Sequence, residues 1–194
     1  MNTPAHLIAA SALLARTGET KRNAWVVAGA ALPDLWIFVF FAWAGGVQGL
    51  PGDVIWNEAY WREPWQSVGA VFNSAPIALL VVLAGFAFNR LWLMALGLAM
   101  AIHVLLDLPL HGDDAHRHFW PLSDWRLVSP VSYWDPGANG RWGILVESVV
   151  VLVGVALLWR RFPELWLRAL LALAALASLA MAALYWLSPP AFGT

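Results

Sequence analysis

Long runs of apolar residues, separated by short polar stretches, make up most of the chain. A membrane-spanning helix needs about 20 mostly apolar residues. Five segments reach or approach that length: residues 24–43, 67–88, 91–110, 142–159 and 165–187. This pattern predicts an all-α, polytopic membrane protein with five transmembrane helices, folded as a single integral membrane domain over residues 1–194.

A shorter apolar stretch, residues 4–15, precedes the long segments. Asn2 or Thr3 suits the N-cap and Pro4 suits the first helical position, so a helix is predicted here. Twelve residues at about 1.5 Å each cover about 18 Å, which is less than the ~30 Å of a bilayer core. We therefore expect one short membrane-inserted or interfacial helix at the N-terminus, beside the five full spans.

Composition favours a surface that faces lipid. Hydrophobic residues make up 61% of the chain and charged residues 12%, against roughly 25% charged residues in soluble domains. The 14 tryptophans suit membrane–water interfaces. The net charge of −1 offers no basic surface for nucleic acid. Because cysteine is absent, any metal ion must be bound by His, Asp, Glu or Asn.

Lysine and arginine predict the orientation, because they favour the cytoplasmic side of a membrane. Seven of them share one side if the five segments alternate: Arg16, Lys21, Arg22, Arg90, Arg160, Arg161 and Arg168. The other side receives four: Arg62, Arg117, Arg126 and Arg141. We therefore expect the first side to be cytoplasmic and the two long loops, 45–66 and 111–141, to lie outside.

The 45–66 loop carries four aromatic residues whose spacing places several rings on one helical face: Trp56, Tyr60, Trp61 and Trp65. This pattern is typical of an aromatic anchor at the membrane interface. The alternative interpretation is a lid, or a lipid-contact surface, over a functional site.

Ionisable residues inside the apolar segments indicate a functional site, because they are costly in a membrane. His103 and Asp107 lie four residues apart in the third long segment, so a helix places them on one face. His111 follows after another four residues, beyond Pro109, where a regular helix is not expected. Four of the five histidines fall within sixteen residues: His103, His111, His116 and His118. One of the last two is expected to be solvated.

Other segments place polar residues at a similar depth, which predicts one shared site that opens outward. These residues are His6, Asp34, Asn73, Ser74 and Glu147. Structural roles are the alternatives for several of the ionisable and polar residues. In these alternatives His103 and Asp107 form a pair that locks two helices together, Asp34 caps a helix broken at Pro33, and Asn73 and Ser74 join helices by hydrogen bonds.

The residue types suit a metal centre. Imidazole and carboxylate ligands bind Zn, Fe or Mn. A catalytic zinc site keeps three protein ligands and a water molecule, which becomes a hydroxide near neutral pH and attacks a carbonyl or phosphoryl centre. A nearby carboxylate then acts as general base or orients a ligating histidine. Intramembrane His and Asp also build proton relays and cation pathways, so an ion, proton or small-molecule transporter and a purely structural membrane protein are the alternatives.

Three motifs resemble the bacterial inner-membrane metal-dependent hydrolase family of the YdjM/YbcI type. They are a histidine at the start of an apolar segment (residues 3–7), a Gly-rich segment that ends in Pro33-Asp34, and His103…Asp107…His111 followed by Pro-Leu-Ser at 121–123. Members often carry a His-Arg…Thr-His-Ser stretch between the last two motifs, whereas residues 71–76 here contain no histidine. Either His111, His116 or His118 substitutes for it, or the metal site is reduced.

The resemblance implies a multi-helix protein of the bacterial inner membrane with a hydrolase site, and it carries His6, Asp34, His103 and Asp107 over as metal-site residues. Residue type and position add three further predictions to this set: His111 as a further ligand, Glu147 or Asp114 as base, and Arg117 as the group that binds a phosphate or carboxylate. Zinc is the first choice of metal, with Mn or Fe as alternatives. A lipid-like substrate is expected, cleaved at a phosphoester bond first and at an amide or acyl ester second.

Overall fold

Helices and connecting loops make up the computed structural model, which describes residues 1–133 and 135–187. The helices are α1 (Thr3–Leu14), α2 (Thr20–Phe41), α3 (Gly52–Val54), α4 (Glu63–Phe72), α5 (Ala75–Ala87), α6 (Leu91–Asp107), α7 (Gly140–Arg161) and α8 (Leu165–Leu187). Two short π-helical stretches, Ala42–Val47 and Ile55–Ala59, and a 3-10 turn, Pro136–Ala138, complete the regular structure. No strand occurs in the described residues; residues 134 and 188–194 of the predicted domain lie outside them.

The prediction of an all-helical protein with membrane-spanning helices is confirmed at this level. Four stretches are long and apolar enough to cross a membrane: Thr20–Val47, Glu63–Ala87, Gly140–Arg161 and Leu165–Leu187. α1 and α6 are shorter apolar helices of 12 and 17 residues. α6 ends at Asp107 rather than at residue 110, because Pro109 has no N–H with which to continue the helical hydrogen bonds.

α6 lies at the centre of the bundle, packed between α2 and α5 and also against α1. Gly29 of α2 lets that helix approach α6 closely, because a Cβ atom there would collide with the carbonyl oxygen of Leu96. The next residue, Ala30, thereby presents its carbonyl oxygen to His103. Close packing of small residues is how helices associate where lipid offers no hydrophobic driving force.

α1 runs beside α7 in the same direction, and its two ends are fastened to that helix. At its start, Asn2 donates hydrogen bonds to Glu147. At its end, Arg161 donates to the carbonyl oxygens of Ala12 (3.0 Å) and Ala15 (2.7 Å). Because the last carbonyls of a helix have no partner within the helix, these bonds satisfy groups that would otherwise stay unpaired.

One long apolar segment is interrupted, but it is not the segment in which a break was considered. α2 continues through Pro33, so the interpretation in which Asp34 caps a broken helix is wrong. The segment 67–88 is interrupted instead, between α4 and α5. There the Ser74 hydroxyl caps α5 by accepting a hydrogen bond from the Ile77 amide and donates one to the carbonyl of Trp120. Asn73 donates to the Pro33 carbonyl, so both residues join neighbouring elements as the hydrogen-bonding interpretation predicted.

The aromatic residues of the 45–66 loop divide into two groups. Tyr60 is buried in a cluster with Trp36 and Phe40 of α2, while Trp56 and Trp61 are 44% and 40% exposed. This loop and the loop that follows α6 lie at the same end of the bundle, the end at which α1 begins. α8 packs on α7 and otherwise presents exposed apolar side chains.

Candidate metal centre

Three donor side chains from two helices meet in the interior of the bundle. His6 comes from the first half of α1, and His103 and Asp107 come from the last turns of α6. One donor atom of each lies within 4.8 Å of the others. Nε2 of His6 is 2.9 Å from Asp107 Oδ1, and Nε2 of His103 is 3.1 Å from Asp107 Oδ2. All three side chains are at most 1% exposed.

These short contacts lack the direction of hydrogen bonds. Both ring nitrogens of His6, and Nε2 of His103, are buried with no hydrogen-bond partner among the described residues. Unpaired buried nitrogens are unfavourable and rare in native structures. The two nitrogen–oxygen distances of 2.9 and 3.1 Å are somewhat shorter than the edges of a tetrahedron around a zinc ion, which are about 3.3 Å for bonds of about 2.0 Å. The donor set therefore fits a divalent metal.

A backbone carbonyl fixes the orientation of His103. Its Nδ1 lies 2.8 Å from the carbonyl oxygen of Ala30, and an N–H donor at Nδ1 is the arrangement that makes this a hydrogen bond. The lone pair is then on Nε2, which faces Asp107. Histidines that bind metals usually donate their other ring N–H in this way.

Asp34 of α2 stands beside this group. Its Oδ1 is 3.5 Å from His103 Nε2, and its Oδ2 accepts a hydrogen bond of 2.6 Å from the Thr3 hydroxyl. The Asp34 side chain is 18% exposed, so it is the least enclosed of the four. The sequence-predicted residues His6, Asp34, His103 and Asp107 are thus brought together, with Asp34 at the rim.

His111 approaches Asp107 from the loop after α6. Its Nε2 is 3.3 Å from Asp107 Oδ1, and its Nδ1 is 2.8 Å from Asp114 Oδ2. Burial lowers the pKa of His111, but the hydrogen bonds and negative charges of Asp107 and Asp114 outweigh it and raise the pKa to about 9. Asp114, one of the two carboxylates predicted to act as base, therefore contacts a histidine whose other ring nitrogen faces Asp107.

His116 and His118 are both buried, at 8% and 1% exposure, so the expectation that one of them is solvated is wrong. Burial lowers the pKa of His116 to about 3 and that of His118 below its ordinary value. The His116 ring centroid lies 5.2 Å from that of His111 and 5.8 Å from that of His118. His118 Nδ1 is 3.2 Å from the Asn73 carbonyl oxygen, and its Nε2 has no hydrogen-bond partner in the described residues.

Glu147 and Arg117, the other two predicted catalytic residues, make contacts away from the three donors. Glu147 accepts hydrogen bonds from the Asn2 amide (2.9 Å) and side-chain amide (2.7 Å), which fixes the start of α1 and thereby the position of His6. Arg117 forms ion pairs with Glu63 (3.0 Å) and Asp124 (3.3 Å). Their catalytic roles stay predictions.

Sequence reasoning missed four groups that complete the surroundings. Thr3 was noted only as a helix cap, and the carbonyl of Ala30 carries no sequence signal. The Met1 amino group lies 2.5 Å from Asp107 Oδ1. The ring of Tyr133 packs edge-on against His111 at 5.3 Å, and burial together with Asp107 raises the pKa of that tyrosine.

No protein-family model, curated protein or solved structure matches the chain. The resemblance to the YdjM/YbcI type therefore rests on the short motifs alone and stays a prediction. The geometry itself offers imidazole and carboxylate donors in an apolar interior, a chemistry that suits a divalent ion and the activation of water.

Proposed function

We propose that this protein is a membrane-embedded, metal-dependent hydrolase. The observation that carries the proposal is the group of His6, His103 and Asp107, whose buried imidazole nitrogens face a carboxylate without hydrogen-bond partners. Ionisable side chains among apolar helices are functional candidates by default. Here three of them bring donor atoms within 4.8 Å of one another.

Zinc is the first choice of metal, with Mn and Fe as alternatives, because two imidazoles and a carboxylate match their preferences. His6, His103 and Asp107 would hold the ion, with Asp34 and His111 adjacent. A bound ion supplies Lewis acidity and lowers the pKa of a water molecule. The rings of His6 and His103 stack with centroids 3.5 Å apart. Two imidazoles on one tetrahedral ion have centroids roughly 5 Å apart, so an ion held by both rings would require them to move apart.

The substrate proposed is lipid-like, and the bond favoured is a phosphoester. The site lies among helices whose outer surfaces are apolar, so a lipid headgroup in the same membrane reaches it more directly than a soluble molecule does. Either Glu147 or Asp114 is the proposed base, and Arg117 is the proposed contact for a phosphate or carboxylate. An acyl ester or amide is the second choice of bond.

The proposed location is the bacterial inner membrane, with five transmembrane helices and one short N-terminal helix. In this arrangement α4 and α5 together form one transmembrane span. The shorter helix α6, together with the start of the loop after it, forms another. The loops 45–66 and 111–141 lie outside. Membrane lipids are the proposed surroundings and source of substrate, and nucleic acid is not a proposed partner.

The first test is the elemental content of the detergent-purified protein. We expect at least one equivalent of Zn, Mn or Fe in the wild type and its loss in His103→Ala and Asp107→Ala. Asp113→Ala is the matched control, because Asp113 is an exposed carboxylate near the same site and its loss leaves the donors intact. Full metal retention in both ligand variants would contradict the proposal.

The second test is hydrolysis of phospholipids in mixed micelles, followed by mass spectrometry of the released headgroup or diacylglycerol. We expect activity in the wild type and in Asp113→Ala. A chelator should remove this activity, and added metal should restore it. A folded wild type that binds no metal would favour helix packing as the role of the cluster. Metal or proton flux into sealed liposomes, without hydrolysis, would favour transport.

A further inference from the structure

The loop after α6 brings three histidines together on the far side of Asp107. They are His111, His116 and His118, and with His6 and His103 they account for all five histidines of the chain. Within the described residues, three donor atoms within 4.8 Å of one another occur only at His6, His103 and Asp107. The three loop histidines therefore form a separate group. The contact between His111 Nε2 and Asp107 Oδ1 joins it to the first group.

The spacing of these rings suits ligands of one ion. Two imidazoles bound to a tetrahedral zinc ion, with Zn–N bonds of about 2.0–2.1 Å, have ring centroids roughly 5 Å apart. The centroids of His111 and His116 are 5.2 Å apart, and those of His116 and His118 are 5.8 Å apart. A shared ion would require these side chains to rotate until their donor nitrogens meet.

His118 supplies an independent indication of a binding site. Its side chain is 1% exposed, and its Nδ1 is 3.2 Å from the carbonyl oxygen of Asn73. The N–H therefore belongs to Nδ1, which leaves a lone pair on Nε2. That nitrogen has no hydrogen-bond partner in the described part of the chain. His103 has the same arrangement, with its Nδ1 on the carbonyl of Ala30.

His111 connects the two groups. A carboxylate, Asp114, holds its Nδ1 at 2.8 Å, as carboxylates commonly hold histidines that bind metals. Its Nε2 lies 3.3 Å from Asp107 Oδ1. The other carboxylate oxygen, Oδ2, faces His103 at 3.1 Å. Oδ1 also lies 2.9 Å from His6 Nε2, so the Asp107 carboxylate contacts both groups of histidines, as a bridging carboxylate does.

We propose that His111, His116 and His118 hold a second divalent metal ion, with Asp107 bridging it to the first. This inference rests on the proposed function, because Asp107 is shared. Paired metal ions about 3.5–4 Å apart are typical of enzymes that cleave phosphate esters, where the two ions contact the attacking and leaving oxygens. A binuclear centre therefore strengthens the assignment of a phosphoester substrate over an acyl ester.

The experiment is a zinc titration of the metal-free protein in detergent, with bound metal measured after removal of excess. The wild type is expected to bind two equivalents and His118→Phe one, because phenylalanine keeps the ring volume but has no donor nitrogen. Asp113→Ala, which alters an exposed carboxylate of the same loop, is expected to bind two. Size-exclusion profiles establish that each variant is folded.

The outcomes separate this inference from the proposed function. One equivalent in the wild type, lost in His103→Ala, overturns the second site and leaves the proposed function in place. Two equivalents in a folded His118→Phe also overturn it, because the second ion is then held elsewhere. No bound metal in a folded wild type overturns both. If His118→Phe does not fold, the wild-type count alone decides.

Discussion

At the scale of single residues, the proposed metal ligands are only part of what the candidate centre contains. The spacing of His103 and Asp107 predicts that they share a helix face, and they do, at 3.1 Å. The groups that hold them in place come from other helices. The Ala30 carbonyl fixes one imidazole and the Thr3 hydroxyl fixes Asp34. No spacing rule within one helix predicts such contacts, because they depend on how helices pack.

Thr3 offers a test of this supporting layer. Thr3→Val keeps the shape of the side chain but removes the hydroxyl that donates to Asp34 at 2.6 Å. We expect zinc affinity to fall by a factor of about 10, at the lower end of the 10–100-fold losses typical of such partners. The measurement is competition with a chelator of known affinity. Thr3→Ser restores the hydroxyl and should restore affinity; equal affinities in all three proteins would contradict the role.

Glu147 gives a second prediction at this scale. In Glu147→Ala the Asn2 amide and side chain lose both acceptors in a partly buried position. The free energy of unfolding should fall by about 1–3 kcal/mol, the usual penalty for leaving a buried polar group unpaired. Thermal or denaturant unfolding in detergent measures it. Glu164→Ala, at an exposed carboxylate, is the control and should stay within about 0.5 kcal/mol of wild type. A similar effect of both substitutions would argue against the contact.

At the scale of helices, the close approach of α2 and α6 sets the geometry of the centre. Asp34 and Ala30 reach His103 only because Gly29 allows the two backbones to approach. In the sequence, one interpretation placed a break in this helix at Pro33, with Asp34 as its cap. In the structure α2 continues through the proline, and Gly29 permits the tight packing. Sequence alone does not separate these outcomes, because neighbouring groups in a bundle can satisfy the backbone that a proline frees.

Gly29→Ala tests that packing. The added methyl group collides with the Leu96 carbonyl oxygen and lies 3.0 Å from the Ala99 side chain, so the helices must separate. Overpacking of this kind typically costs about 1–3 kcal/mol, and we expect a lower unfolding midpoint together with weaker zinc binding. Gly46→Ala is the matched control, since a Cβ atom there meets nothing within 4 Å. Wild-type stability and affinity in Gly29→Ala would show that the approach is not needed.

At the scale of the whole molecule, the histidine cluster and the arginines that contact the end of α1 lie at opposite ends of the bundle. The histidines lie toward the end where α1 begins. At the opposite end, arginines cover the last turn of α1: Arg22 donates to the Leu14 carbonyl, and Arg161 donates to Ala12 and Ala15. The sequence predicted this division through alternating segments and the distribution of basic residues. It did not predict the loop fold that buries His116 and His118, because a polar loop carries no periodic signal of burial.

The orientation of these ends in the membrane is the last prediction, and the absence of cysteine makes it directly measurable. Leu122, in the loop after α6, is 80% exposed, and Leu165, beyond α7, is 82% exposed. In intact spheroplasts, a membrane-impermeant maleimide should label Leu122→Cys. It should label Leu165→Cys only after permeabilisation, because seven basic residues on that side, against four on the other, favour the cytoplasm.

The cysteine-free wild type provides the background for this labelling, and denatured protein provides full reaction at both positions. The reverse pattern would place the histidine end toward the cytoplasm. The proposed metal centre would then be unchanged, and a lipid substrate would have to come from the inner leaflet. Labelling of both positions in intact cells would mean that α7, the only long helix between them in the described residues, does not cross the membrane. A lipid-facing role for the exposed apolar surfaces of α7 and α8 would then have to be abandoned, and with it the argument that substrate enters from the bilayer.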